Sequence, residues 1–177
     1  MGTDADAYDR SRRRVDALVR DLDADALATP VAACPGWSVA DLVAHLSAIT
    51  VDVADGNIDG VGTDAYTARQ VFERADQPIA LTLDQWAEHA PALTGAFESF
   101  PFEMAAGPAV GDVYTHEIDL RFALGRRSWS TTTPWPRRFA TTPTRSARGS
   151  PGRTGRHCGS APAATNISRV RVNPPRP

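Results

Sequence analysis

All 21 acidic residues lie at or before Asp119, although the chain runs on to residue 177. The basic residues are divided the other way. There is no Lys, and of the 19 Arg, 7 precede residue 120 and 12 follow it. The formal charge is therefore −14 over residues 1–119 and +12 over residues 120–177, which the whole-chain value of −2 conceals. Apolar periodicity ends at almost the same place, just after Gly125. Residues 126–177 hold most of the prolines with many Ser, Thr and Arg. A segment of that composition cannot bury enough surface to offset the entropy of ordering it. The boundary leaves residues 1–125 to build a core, with 126–177 expected as an irregular, disordered tail. That tail reads either as a basic segment that binds nucleic acid or an anionic surface, or as the product of a frameshift in a GC-rich gene. It lacks clustered aromatics and any nucleic-acid-binding motif, and the abruptness of the change fits the frameshift better.

The first 125 residues suffice for one domain with a real core. Cys34 and Cys158 are too few for a disulfide framework. The N-terminus has no apolar stretch of the secretory type, and no apolar run approaches the length of a membrane span. The expected setting is soluble and cytoplasmic.

Helical periodicity runs through this part of the chain. Val15, Leu18, Val19 and Leu22 form one apolar stripe within a helix over 5–22. Arg10, Arg12, Arg13 and Arg14 are expected on its solvated face. The best-defined segment is Cys34-Pro-Gly-Trp-Ser-Val-Ala-Asp-Leu-Val-Ala-His45-Leu46. Pro35-Gly36 marks a turn, and Ser38 with Asp41 forms an N-terminal capping pair. Trp37 is placed to pack back on the first turn as a hydrophobic staple, and Cys34 to sit beneath it. Val39, Leu42, Val43, Leu46, Ile49 and Val53 supply the buried stripe. Residues 66–75 predict a short helix. Residues 82–100 predict a longer one with Leu83, Trp86, Ala90, Leu93, Phe97 and Phe100 near heptad spacing, kinked or split at Pro91. A last helix carries Gly111-Asp-Val-Tyr-Thr-His116-Glu-Ile-Asp119-Leu-Arg-Phe-Ala-Leu-Gly125. Pro108 suits its first turn and Gly125 its end.

The polar pattern on two of these helices is unusual. Asp112 and His116 are four residues apart, about 40° around the helix axis, and Asp119 follows on the same side. His45 is flanked on its own face by Asp41 and Asp52. Both histidines sit at the edge of their apolar stripes, so packing the two helices together sets them across one groove. Imidazole and carboxylate on one face are donors that a divalent cation takes. By spacing alone, the same residues also read as a solvated polar face. Glu117 falls inside the apolar arc of its helix and is expected at the edge of the bundle.

Two stretches, Val31 to Leu46 and Val110 to Gly125, resemble the paired motifs of the mycothiol-dependent maleylpyruvate isomerase family, with similar spacing between them. The resemblance covers roughly residues 8–126. It implies an all-α, DinB-like four-helix bundle, with a divalent metal, expected to be zinc, held by His45, Asp112 and His116. Family members usually carry Glu where this chain has Asp112, one methylene shorter. Asp119 matches the family's Asp after the second His and is expected to take a catalytic role, orienting an imidazole or a polar substrate. Mycothiol is the implied cofactor and a small electrophile the implied partner, with a metal-bound thiolate adding to the electrophile to give isomerisation or thiol transfer. Larger family members have a C-terminal domain that contributes to the active site, and residues 126–177 do not match it. Two other functions are therefore weighed: a non-catalytic metal-binding bundle, and an interaction protein that works through its basic tail.

Overall fold

The computed structural model describes residues 3–98 and 106–126, and all its regular elements are helices. They are α1 (Asp4–Val19), α2 (Ala24–Leu27), α3 (Val39–Asp55), α4 (Asp64–Arg74), α5 (Ile79–Ala96) and α6 (Ala106–Ala123). Helix α1 packs on α6 and α5, and α3 packs on α5 and α6, which closes a four-helix bundle. The short α4 lies along the flank of α3. The expected all-α bundle is thus present. The expected tail, apart from Arg126, and Phe100 at the end of the expected 82–100 helix lie outside the described residues.

The caps explain where these helices begin and end. Thr3 and Asp6 form a reciprocal capping box that starts α1. Ahead of α3, Gly36 has φ 88° and the Trp37 amide donates to the Cys34 carbonyl at 3.0 Å. Pro at the second and Gly at the third position of such a turn are what its backbone requires. The Ser38 hydroxyl then accepts from the Asp41 amide at 3.2 Å, and the Asp41 carboxylate accepts from the Ser38 amide at 2.9 Å. Replacing Ser38 by Ala is expected to destabilise the protein by about 1 kcal/mol. Urea denaturation would show this as a lower midpoint at unchanged slope, and an unshifted midpoint would contradict it. At the other end, Gly125 has φ 66°, its amide donates to the Phe122 carbonyl, and the Arg126 amide donates to Arg121. This Schellman arrangement stops α6 where the glycine predicts.

The core is built from the stripes read in the sequence. Val15, Val19, Leu42, Val43, Leu46, Leu83, Trp86, Val113 and Leu120 are all buried. At its centre the Trp86 indole N–H donates to the Tyr8 hydroxyl at 3.0 Å, and the Tyr8 ring meets Phe97 edge-on. Burial pushes the Tyr8 phenol well above its ordinary pKa, so it stays a neutral hydrogen-bonding partner.

Several expectations need correction. Helix α5 is not split at Pro91 but continues through it as one helix. Pro91 and Ala87 are exposed, so water can satisfy the carbonyl that the missing N–H leaves. Buried Ala90 and Leu93 meanwhile hold the helix to the core on either side of the proline. The first helix stops at Val19, and Asp23 caps a separate short helix, α2. The arginines of α1 do not share one fate. Arg10 and Arg13 are exposed, but Arg12 is buried against Asp9. Arg14 reaches across the helix interface to Glu117, with contacts of 2.6–2.9 Å. Glu117 is correspondingly buried, not at the bundle edge, and takes a second pair from Arg121 at 3.0 Å. An anion inside an apolar arc is tolerated because two guanidiniums compensate its desolvation.

Candidate metal centre

Helices α3 and α6 bring His45 and His116 together, with ring centroids 5.8 Å apart and planes nearly perpendicular. Asp112, one turn before His116, lies between them. Its Oδ1 is 3.3 Å from His116 Nε2, and its Oδ2 is 3.6 Å from His45 Nε2. The donor atoms of His45, Asp112 and His116 all lie within 4.8 Å of one another. Zinc bonds of ordinary length in a tetrahedron set neighbouring donors about 3.3 Å apart. The two contacts of Asp112, at 3.3 and 3.6 Å, lie near that spacing, and the third pair lies within 4.8 Å.

The far side of each imidazole is also engaged. The Asp119 carboxylate can only accept, so the contact of 3.2 Å makes His116 Nδ1 the donor. His45 Nδ1 lies 3.0 Å from Gln70 Oε1 on α4. With both Nδ1 atoms carrying the proton, both Nε2 atoms are the ones that face Asp112. This is the arrangement that orients histidine ligands in metal sites. The Trp37 ring packs on His45 with centroids 5.4 Å apart, so the residue expected to staple the first turn of α3 also backs the imidazole.

The electrostatics favour a charged pair. Burial opposes the imidazolium of His116, but hydrogen bonds and charge from Asp112 and Asp119 outweigh it and raise the ring to about 9. Burial likewise opposes the Asp112 carboxylate. Hydrogen bonds from His116 and His45 overcome that and hold it well below the usual carboxylate range. The site is therefore built to keep a carboxylate ionised between two nitrogens.

A cavity of about 660 Å³ opens onto these residues. His45, Asp112, His116 and Asp119 line it, beside an apolar wall that includes Ile49, Val53, Leu93 and Phe97. A second donor group, Cys34 with His116 and Asp119, is wholly buried, and Cys34 does not line the cavity. The first set is the one with access to a small molecule.

All four site residues named from the sequence are brought together, with Asp119 behind His116 and not beside Asp112. The flanking acids of α3 are used otherwise. Asp41 is spent on the Ser38 cap, and Asp52 bonds Gln70 at 2.8 Å. Gln70 was missed because nothing in its local spacing marks it. Only the docking of α4 on α3 carries it to His45.

Fold and site together define a class: a DinB-like helical bundle with two imidazoles and a carboxylate converging on an open cavity. Residues 8–127 match the family model described as the mycothiol maleylpyruvate isomerase N-terminal domain, and the chain belongs to that family. Neither the curated proteins nor the solved structures provide a match.

Proposed function

We propose that His45, Asp112 and His116 hold a divalent cation, zinc by the chemistry of the donor set, and that the chain serves a mycothiol-dependent isomerase or thiol S-transferase reaction. The observation that supports this reading is the engagement of both Nδ1 atoms, with the two Nε2 atoms and the Asp112 carboxylate converging within 4.8 Å of one another. Two imidazoles and one carboxylate leave room for a further ligand, as catalytic zinc sites do. A divalent cation held by His45, Asp112 and His116 would lower the pKa of a thiol bound to it and so supply a nucleophile at neutral pH. The protein's own share is positional. Asp119 keeps the His116 proton on Nδ1 and so fixes the direction of Nε2. The apolar wall limits water around the reacting atoms. The cavity lies within the range of about 300–1,000 Å³ usual for small-molecule sites, and a thiol and a small electrophile are the occupants proposed. The proposed setting is the cytoplasm, where a small thiol stays reduced. Among the described residues no helix is long and apolar enough to cross a membrane.

A second reading, a bundle that holds metal without turnover, draws support from the cavity wall. Asp64, Asp112 and Asp119 all face it, and three carboxylates repel an anionic electrophile. Purified protein loaded with zinc and desalted is expected to retain about one equivalent, and His45→Ala much less. Equal retention by both would sink the metal site. With the metal in place, mycothiol-dependent turnover separates the catalytic reading from the non-catalytic one.

A further inference from the structure

Helix α4 makes no contribution to the donor set, yet it buries its one inward glutamine completely against α3. Gln70 is held at both ends. Its Nε2 donates to Asp52 Oδ2 at 2.8 Å, and its Oε1 lies 3.0 Å from His45 Nδ1. Asp52 is itself 5% exposed and is fixed from two further sides. Asn57 Nδ2 donates to its Oδ1 at 3.2 Å, and Arg69 donates to its Oδ2 at 3.3 Å. The turn after α3 reinforces this, because the Asn57 amide donates to the Asp52 carbonyl at 2.7 Å and Gly56 adopts φ 72° there.

We infer that Asp52 and Gln70 form a relay that decides which nitrogen of His45 is free to bind. The logic is one of obligatory roles. A carboxylate has no donor, so the end of the Gln70 amide facing Asp52 must be the NH₂. The other end, facing His45, must then be the carbonyl, which only accepts. His45 Nδ1 is therefore compelled to donate, and Nε2 is the nitrogen left facing Asp112, the one a cation would meet. Two residues outside the donor set thus set the tautomer of one of its ligands. Both are positioning residues. The inference rests on the metal reading for its consequence, but the tautomer it assigns is a property of the protein alone.

Substitution of Asp52 tests the chain of roles without touching His45. In Asp52→Asn the new side chain has a donor as well as an acceptor, so the Gln70 amide is free to turn over. Turned over, it offers NH₂ to Nδ1 and favours the proton on Nε2, the nitrogen that must be bare. Gln70→Leu removes the link altogether. Full-length metal-free protein with ¹⁵N-labelled histidine, followed upward in pH until the His45 signal is that of a neutral ring, reports the tautomer from long-range ¹⁵N–¹H couplings. His45→Ala assigns the signal. Wild type is expected to show His45 with its proton on Nδ1, and both variants a mixture or the reverse. Zinc titration against a competing chelator should then show affinity lower by about 10–100-fold in both variants, with unchanged helical circular dichroism. An Nε2–H tautomer in wild type, or variants that keep the Nδ1–H form, overturns the relay. Wild type that shows the expected tautomer but takes up no zinc instead overturns the metal reading and leaves the relay standing. If the buried Leu substitution unfolds the bundle, the near-isosteric Asp52→Asn decides alone.

Discussion

His116→Ala is expected to lose stoichiometric zinc, with affinity falling by more than about 100-fold, because the loss of a ligand exceeds the 10–100-fold usual for an outer partner. His116 is the hub of the cluster. It meets Asp112 through one nitrogen and Asp119 through the other, and its ring stands edge-on to His45. It is also 4% exposed, so water does not readily replace it as a donor. Asp119→Asn supplies the graded comparison. It leaves all three donors in place but presents an amide to Nδ1, which no longer dictates where the proton sits. An intermediate loss of about 10–100-fold is expected there. Chelator competition measures both, and circular dichroism checks that the bundle persists. Wild-type affinity in His116→Ala would move the site away from α6, and equal losses in both variants would make Asp119 a ligand instead of an orienting group.

Trp86→Ala should have the largest effect on stability, about 3–5 kcal/mol. The indole is fully buried among α1, α3 and α5 residues and anchors the Tyr8 hydroxyl, itself 2% exposed. Removing it opens a cavity and takes away the donor that Tyr8 accepts from, so the loss should fall in the upper part of that range. Against a total of roughly 5–15 kcal/mol for an ordinary domain, it leaves little margin. Trp86→Phe keeps most of the apolar volume and should lose only about 1–2 kcal/mol, chiefly from the hydrogen bond. Urea unfolding midpoints for the three proteins would test this. A shift below about 1 kcal/mol for Trp86→Ala would mean that α5 is not seated as described.

The family matched over residues 8–127 coincides closely with the stretch in which acids and apolar periodicity occur together. Within it, what could be read from the sequence was what is local. The Ser38–Asp41 cap, the Pro35-Gly36 turn and the Gly125 stop each depend on residues within a few positions of one another. The inward stripes of α3 and α5 follow from a period of 3.6 residues. Placement of His45 and His116 at matching edges of their stripes was also legible, and so was the clustering of Asp112 and Asp119 on the face of His116. That face could equally have been solvated, and spacing has no means of deciding which.

Tertiary structure settled the partners that lie far apart in the chain. Arg14 belongs to Glu117 on another helix, although its neighbours in sequence suggested a solvated cluster. Asp41 and Asp52 flank His45 on one face of α3, yet one caps a helix end and the other reaches the imidazole only through Gln70. Pro91 was read by its local cost and tolerated because its face of α5 is open to water. By itself the sequence determined where the five longer helices lie, which stripe of α3 and α5 is apolar, and that two histidines and two aspartates stand at the margins of such stripes. The packing of α3, α4 and α6 decided which nitrogens face one another and which buried polar groups hold them. The reason is physical: a helix's periodicity specifies the angle of each side chain about its own axis, whereas a contact between helices depends on their relative rotation and height, which the whole core sets together.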